Sequence, residues 1–143
     1  MPKILRSALV NHSRQQMFDL VYEVDKYSEF LPWCACGQIL SEDADSVAAK
    51  IDIDYKNLKQ SFSTKNSIKR HDSINMELVE GPFKFLHGKW NFIKLGENQT
   101  KVELSIDFEF KGFLLSKLAG PVFEQIAGSM VDAFVKRATQ VYD

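Results

Sequence analysis

The ten residues KVELSIDFEF (101–110) alternate without a break. Val102, Leu104, Ile106, Phe108 and Phe110 fall on one side of an extended chain, and Lys101, Glu103, Ser105, Asp107 and Glu109 on the other. Successive side chains of a strand point to opposite faces. The segment therefore predicts a strand of an antiparallel sheet with one dry and one wet face. Downstream the period changes. Val122, Phe123, Ile126, Ala127, Met130, Val131, Phe134, Val135, Ala138, Val141 and Tyr142 recur at the three-and-four spacing of a helix. That stripe is too broad for a coiled-coil seam and suits a helix pressed into a curved surface. Gly120-Pro121 marks its start, because the missing proline N–H is harmless in a first turn. A separate short helical piece is expected over 113–119.

Upstream, residues 3–10 form a β-rich opening strand. Ser13 and Gln16 have the spacing of a capping box. They introduce a helix reaching about Val24, with Met17, Leu20, Val21 and Val24 on one face. Asp25 can cap a second short helix that Pro32 ends. Strands follow. In SVAAKIDIDY (46–55) Val47, Ala49, Ile51, Ile53 and Tyr55 share a face. In SINMELVE (73–80) Ile74, Met76 and Leu78 alternate with Ser73, Asn75 and Glu77. Gly81-Pro82 and residues 96–99 are turns. The order is thus one strand, two short helices, about six antiparallel strands and a long helix. A one-sided curved sheet and an amphipathic helix bury their apolar faces together when the sheet wraps the helix.

At 143 residues the chain is read as a single domain over 1–143. A formal charge of −1 predicts no whole-molecule attraction to nucleic acid or anionic membrane, so a local patch must supply any. Eleven phenylalanines imply a large core or a large apolar cavity, since Phe fills space without needing a hydrogen bond. No run of about 18 apolar residues is present to span a bilayer. The N-terminal MPKILRSALV has neither the long apolar run nor the small-residue cleavage site of a signal peptide, and is read as mature sequence. Two cysteines one residue apart make a disulfide framework implausible and fit a reducing cytoplasm.

Five stretches together resemble the START-like, helix-grip superfamily: YSEFLPWC (27–34), FSTKN (62–66), GPFKFLHGKWNF (81–92), DFEF (107–110) and VFEQIAGSMVDAFVKRATQVY (122–142). Within it the chain is most similar to the coenzyme Q-binding and polyketide-cyclase-like branch, and there to the bacterial ribosome association toxins. Ser28 stands where that family commonly has Pro, and Lys56-Asn57 where a glycine is frequent. The resemblance implies an α+β helix-grip fold, a sheet of six to seven strands around a long C-terminal helix, and a non-enzymatic protein. For the coenzyme Q-binding members it implies ubiquinone or a related isoprenoid lipid as bound ligand, with a role in respiration. For the toxin branch it implies binding the large ribosomal subunit and blocking subunit association. A monomer is expected, in the cytoplasm or peripheral to the inner face of the membrane.

The candidate sites follow from the residues. His12, His71 and His87 lie in different elements, none beside a nucleophile motif. Asp52 and Asp54 share an outward strand face, where a carboxylate pair is ordinarily solvated, so no catalytic residues are assigned. Cys34-Ala35-Cys36 lacks the further ligands that zinc requires, and no metal site is assigned. In QSFSTKNSIK (60–69) the inward set is Phe62, Thr64, Asn66 and Ile68. Thr64 and Asn66 are polar on a dry face, so each needs a local hydrogen bond, a buried water or a ligand's polar head. The expected lining of a ligand cavity is Tyr27, Leu31, Trp33, Phe62, Thr64, Asn66, Met76, Trp90, Phe92, Phe108, Phe123, Ile126, Met130 and Phe134. Phe30 and Leu31 are expected to plug the core, and Tyr27 and Trp33 to sit near the portal. Finally, Lys56, Lys59, Lys65, Lys69 and Arg70 form an acid-free stretch. It reads either as ordinary solvated edge charge or as a contact strip for phosphate, on ribosomal RNA or at a membrane surface.

Overall fold

The computed structural model describes residues 3–142; Met1, Pro2 and Asp143 lie outside it. The elements are β1 (Lys3–Val10), α1 (Arg14–Tyr22), a 3-10 turn (Val24–Glu29), β2 (Cys34–Glu42), β3 (Ser46–Tyr55), β4 (Leu58–Lys69), β5 (Ser73–Glu80), β6 (Phe83–Gly96), β7 (Gln99–Phe110) and α2 (Phe113–Tyr142). Seven antiparallel strands form one curved sheet in the order β1-β7-β6-β5-β4-β3-β2. Every link is a hairpin between sequence neighbours except β1–β7, which brings the first strand alongside the last. The inward residues of β7, from Val102 to Phe110, are all buried, and α2 lays Phe123, Ile126, Ala127, Met130, Val131, Phe134 and Ala138 onto them.

The local signals act as their chemistry requires. Ser13 Oγ accepts from the Gln16 backbone N–H at 3.1 Å, while Gln16 Oε1 accepts from the Ser13 N–H at 3.0 Å, closing the capping box. Lys56 and Asn57 take φ of 48° and 69°, so the β3–β4 hairpin turns through two left-handed residues without a glycine. Gly37 on β2 is required by close approach: a Cβ there would lie 2.2 Å from the Val24 carbonyl oxygen. Its absence lets the 3-10 turn seat directly on β2.

Two expectations are corrected. The short piece over 113–119 and the long helix are one continuous helix, with Pro121 inside it. Pro121 removes one backbone donor, but Ala119 and the half-buried Leu115 before it, like Phe123 and Ile126 after it, pack against the core. Ser73, expected on the wet face of β5, is buried at the strand's start.

Candidate functional site

Between α2, the 3-10 turn and the β3–β4–β5 part of the sheet lies an enclosed apolar cavity. Nine of the expected lining residues reach it: Tyr27, Trp33, Phe62, Thr64, Asn66, Met76, Phe123, Ile126 and Met130. Val21, Val24, Ala49, Ile51, Ile74, Leu86, Gly88 and Ile106 complete the wall. The sequence marked Ala49 and Ile51 as inward residues of β3. Gly88 carried only the general signal of a glycine inside a strand, which marks close approach. A Cβ at Gly88 would stand 2.5 Å from Met76 Cε, so this glycine makes room for the methionine that closes the floor.

The other five expected wall residues lie elsewhere. Trp90, Phe92, Phe108 and Phe134 are fully packed core, and Leu31 is buried beside a separate shallow groove with Pro32 and Tyr55. Phe134 meets Trp90, Tyr27 and Phe30 edge-on, each at 5.3 Å between ring centroids. Those contacts consume the surface that a cavity would need. Tyr27 and Trp33 are not at a portal; both are buried. The Tyr27 hydroxyl donates to the Val21 carbonyl, which satisfies its polar tip inside the fold. Leu31 is buried as expected, whereas Phe30 is only half-buried, under the Arg137 guanidinium at 5.0 Å.

The cavity's polarity is confined to a few groups. Thr64 Oγ1 donates to Asn66 Oδ1 at 2.9 Å. That bond engages the amide carbonyl and leaves the amide NH₂ available as a donor. The indole N–H groups of Trp33 and Trp90 are buried with no hydrogen-bond partner among the described residues. Among the described residues no charged side chain lines the space, and the titratable group in its wall is Tyr27, whose hydroxyl burial holds well above the usual phenol range. Its volume is about 50 Å³, room for a few waters and far below the roughly 300–1,000 Å³ of sites that enclose a drug-sized ligand. Admitting a ring requires Met76, Met130 and α2 to give way.

Elsewhere, His87 Nδ1 pairs with Glu77 on the exposed sheet face, His71 packs edge-on against Phe18, and His12 is buried near Tyr142. Asp52 accepts from Ser61 Oγ on the outer sheet face. Cys34 is buried and Cys36 half-buried. Burial, with Cys36 beside it, pushes the Cys34 thiol up to about 11. No group of three or more metal-type ligands occurs among the described residues.

The five cations do not make one strip. Lys56 sits in the β3–β4 turn and donates to Gln125 Oε1 on α2 at 2.8 Å. Arg70, at the far end of β4, lies over the Tyr22 ring at 4.9 Å. Lys59, Lys65 and Lys69 do point outward from β4, together with Ser61, Ser63 and Ser67. In the register, however, Asp54 stands opposite Lys59, and Glu77 opposite Lys65.

Residues 10–135 match the family model for polyketide cyclase / dehydrase and lipid transport proteins. The chain belongs to that family. Among its relatives, this family member is 43% identical to the ribosome association toxin RatA of Pseudomonas aeruginosa, covering 97% of this chain and 96% of that protein. It is 26% identical to the mitochondrial coenzyme Q-binding protein COQ10 homolog B of Xenopus laevis, over 95% of this chain and 57% of that one. The fold recurs in a START superfamily protein of Mycobacterium smegmatis, with TM-score 0.77, 19% identity, and 97% and 98% of the two chains covered. It also recurs in the Zhui aromatase/cyclase of Streptomyces sp. R1128, with TM-score 0.85, 15% identity, and 97% and 94% covered. No described helix is long and apolar enough to cross a membrane.

Proposed function

We propose that this chain is a RatA-type protein that binds the large ribosomal subunit, opposes subunit association and catalyses no reaction. The observation that carries this is near-full-length similarity: 43% identity to a ribosome association toxin, with both chains covered almost end to end. Geometry supports binding over catalysis, since the cavity holds no group that exchanges a proton near neutral pH. The docking surface is the outer face of β4, where Lys59, Lys65 and Lys69 alternate with serine hydroxyls; lysines and hydroxyls are the side chains that contact phosphate. Asp54 and Glu77 trim its field, so it selects a shaped phosphate backbone rather than polyanions in general. The protein acts in the cytoplasm, where ribosomes are. In the test, purified protein is sedimented with isolated subunits over a range of salt. Binding to the large subunit should fall steeply with salt, each lost phosphate contact changing the log–log slope by about 0.7–0.9. Lys65→Glu with Lys69→Glu should flatten it. Salt-insensitive binding, or binding to neither subunit, would refute the proposal.

A second reading rests on a separate observation. The Asn66 amide and the Thr64 hydroxyl are the polar groups of an otherwise apolar wall among the described residues, and a distant relative is named for binding coenzyme Q. The free amide N–H of Asn66 suits a neutral ligand whose head is a carbonyl, as a quinone's is. Under this reading the cavity opens to hold ubiquinone or a related isoprenoid lipid in support of respiration. Mass spectrometry of lipid extracted from the purified protein tests it. Recovery of no stoichiometric lipid, with no thermal shift at saturating quinone, would remove it.

A further inference from the structure

The first two turns of α2 carry apolar side chains on the face turned away from the sheet. Phe113 is 81% exposed, Leu114 69% and Leu118 67%, while Ala119 on the opposite face is buried. Positions 113, 114, 117 and 118 share one helix face, and the fourth is Lys117, whose Nζ lies 5.7 Å from the centre of the Phe113 ring. Lys111 precedes the helix, its backbone N–H held by the Pro82 carbonyl at 2.8 Å. From Phe110 through Phe123 there are two cations and no acid. The neighbouring Glu109 is paired with Lys84 at 3.4 Å, and the next acid is Glu124.

Packing does not explain this face, because all three large side chains are more than two-thirds exposed. An RNA partner does not suit it either, since exposed leucines offer nothing to a phosphate or a base edge. An apolar helix face bordered by lysines is the composition of a segment that lies in a membrane interface. Lysines near the surface are drawn to anionic headgroups. We propose that this face docks on an anionic phospholipid bilayer. Phe113, Leu114 and Leu118 enter the boundary between headgroups and acyl chains, and Lys111 and Lys117 meet the phosphates. Further along the same helix Phe123 enters the cavity wall, so a docked α2 would set the cavity against the source of any apolar ligand. The inference is independent of the ribosome reading.

The test is flotation of the full chain with vesicles of phosphatidylethanolamine and phosphatidylglycerol, against vesicles of phosphatidylcholine alone. Binding is expected to the anionic vesicles and to weaken with salt. Leu114→Ser with Leu118→Ser should lower partitioning more than tenfold, and Lys111→Glu with Lys117→Glu severalfold, both with unchanged circular dichroism. Lys59→Glu should leave vesicle binding unaltered. No binding to anionic vesicles, equal binding to phosphatidylcholine, or retention by the leucine variant would overturn the proposal. Two further outcomes would assign the face to another partner and likewise overturn it: loss of ribosomal-subunit binding by the leucine variant without loss of vesicle binding, or a dimer in sedimentation equilibrium that the same variant dissolves.

Discussion

Over β6 and β7 the inner face of the sheet carries Trp90, Phe92, Leu104, Phe108 and Phe110; over β3 and β4 the inward residues include Ala49, Thr64 and Asn66. One backbone curvature and one helix cover both halves. The first half is filled by interlocking rings: Phe83 stacks on Phe110 at 4.4 Å between centroids, and Phe108 meets Phe123 at 4.7 Å. The second half leaves a cavity where Ala49, Thr64 and Asn66 face α2, although Phe62 beside them reaches Phe123. The difference teaches that one concave surface becomes core where rings interlock and keeps a cavity where smaller and polar side chains face the helix.

The sharpest way to break the comparison is to hollow the solid half. Phe134→Ala removes a ring packed on three aromatics and should destabilise the fold by about 3–5 kcal/mol in urea denaturation. A loss below about 1 kcal/mol would mean that the ring cluster is looser than its geometry indicates.

In the hollow half, Asn66→Leu strips Thr64 of its acceptor and should lower stability by about 1–3 kcal/mol. Adding Thr64→Val removes the stranded hydroxyl and should recover most of that loss. A double variant no better than the single would show that the pair's hydrogen bond is not what matters there.

Filling the hollow should cost less than emptying the core. Ala49→Val adds volume facing the cavity, so its stability should stay within about 1 kcal/mol of the parent, below the usual 1–3 kcal/mol of overpacking. It should also weaken uptake of a quinone in a thermal-shift titration. A larger loss would place the valine against α2 instead of in free space.

A further effect shows only at alkaline pH. The Cys34 thiol stands at about 11 in the fold, against 9.0 as its ordinary value. The folded state thus holds the proton to higher pH than the unfolded chain does. The associated stability is complete below pH 9.0 and disappears as pH rises toward about 11. Cys34→Ala should flatten part of the stability loss in that window. At pH 8 a thiol reagent should modify half-buried Cys36 quickly and Cys34 only on unfolding. Equal rates at both would contradict the buried placement.

Much of the architecture was legible because strand alternation and helix periodicity are local. The capping box at Ser13, the inward faces of β3, β4 and β7 and the stripe of α2 all stand where period and capping chemistry place them. Pro121 misled because proline at a helix start is a local rule, whereas the helix runs on through it from Phe113, anchored before it by Ala119 and Leu115. The cavity was half legible. Alternation shows that Trp90 and Asn66 both face inward but cannot say that one meets Phe134 and the other meets space. Tyr27 and Trp33 looked suited to a portal by virtue of their polar tips, yet the Val21 carbonyl takes one tip into the interior.

Lys59 and Lys65 show the same limit on the outer face. Along the chain they lie in an acid-free stretch; across the sheet they face Asp54 and Glu77. Residue order and composition were enough for the kind of each element and the side on which it is apolar, because those depend on neighbours a few positions away. Strand register, the depth of the hollow under α2 and the exposed start of that helix came only with assembly, because each is a distance between residues far apart in the chain.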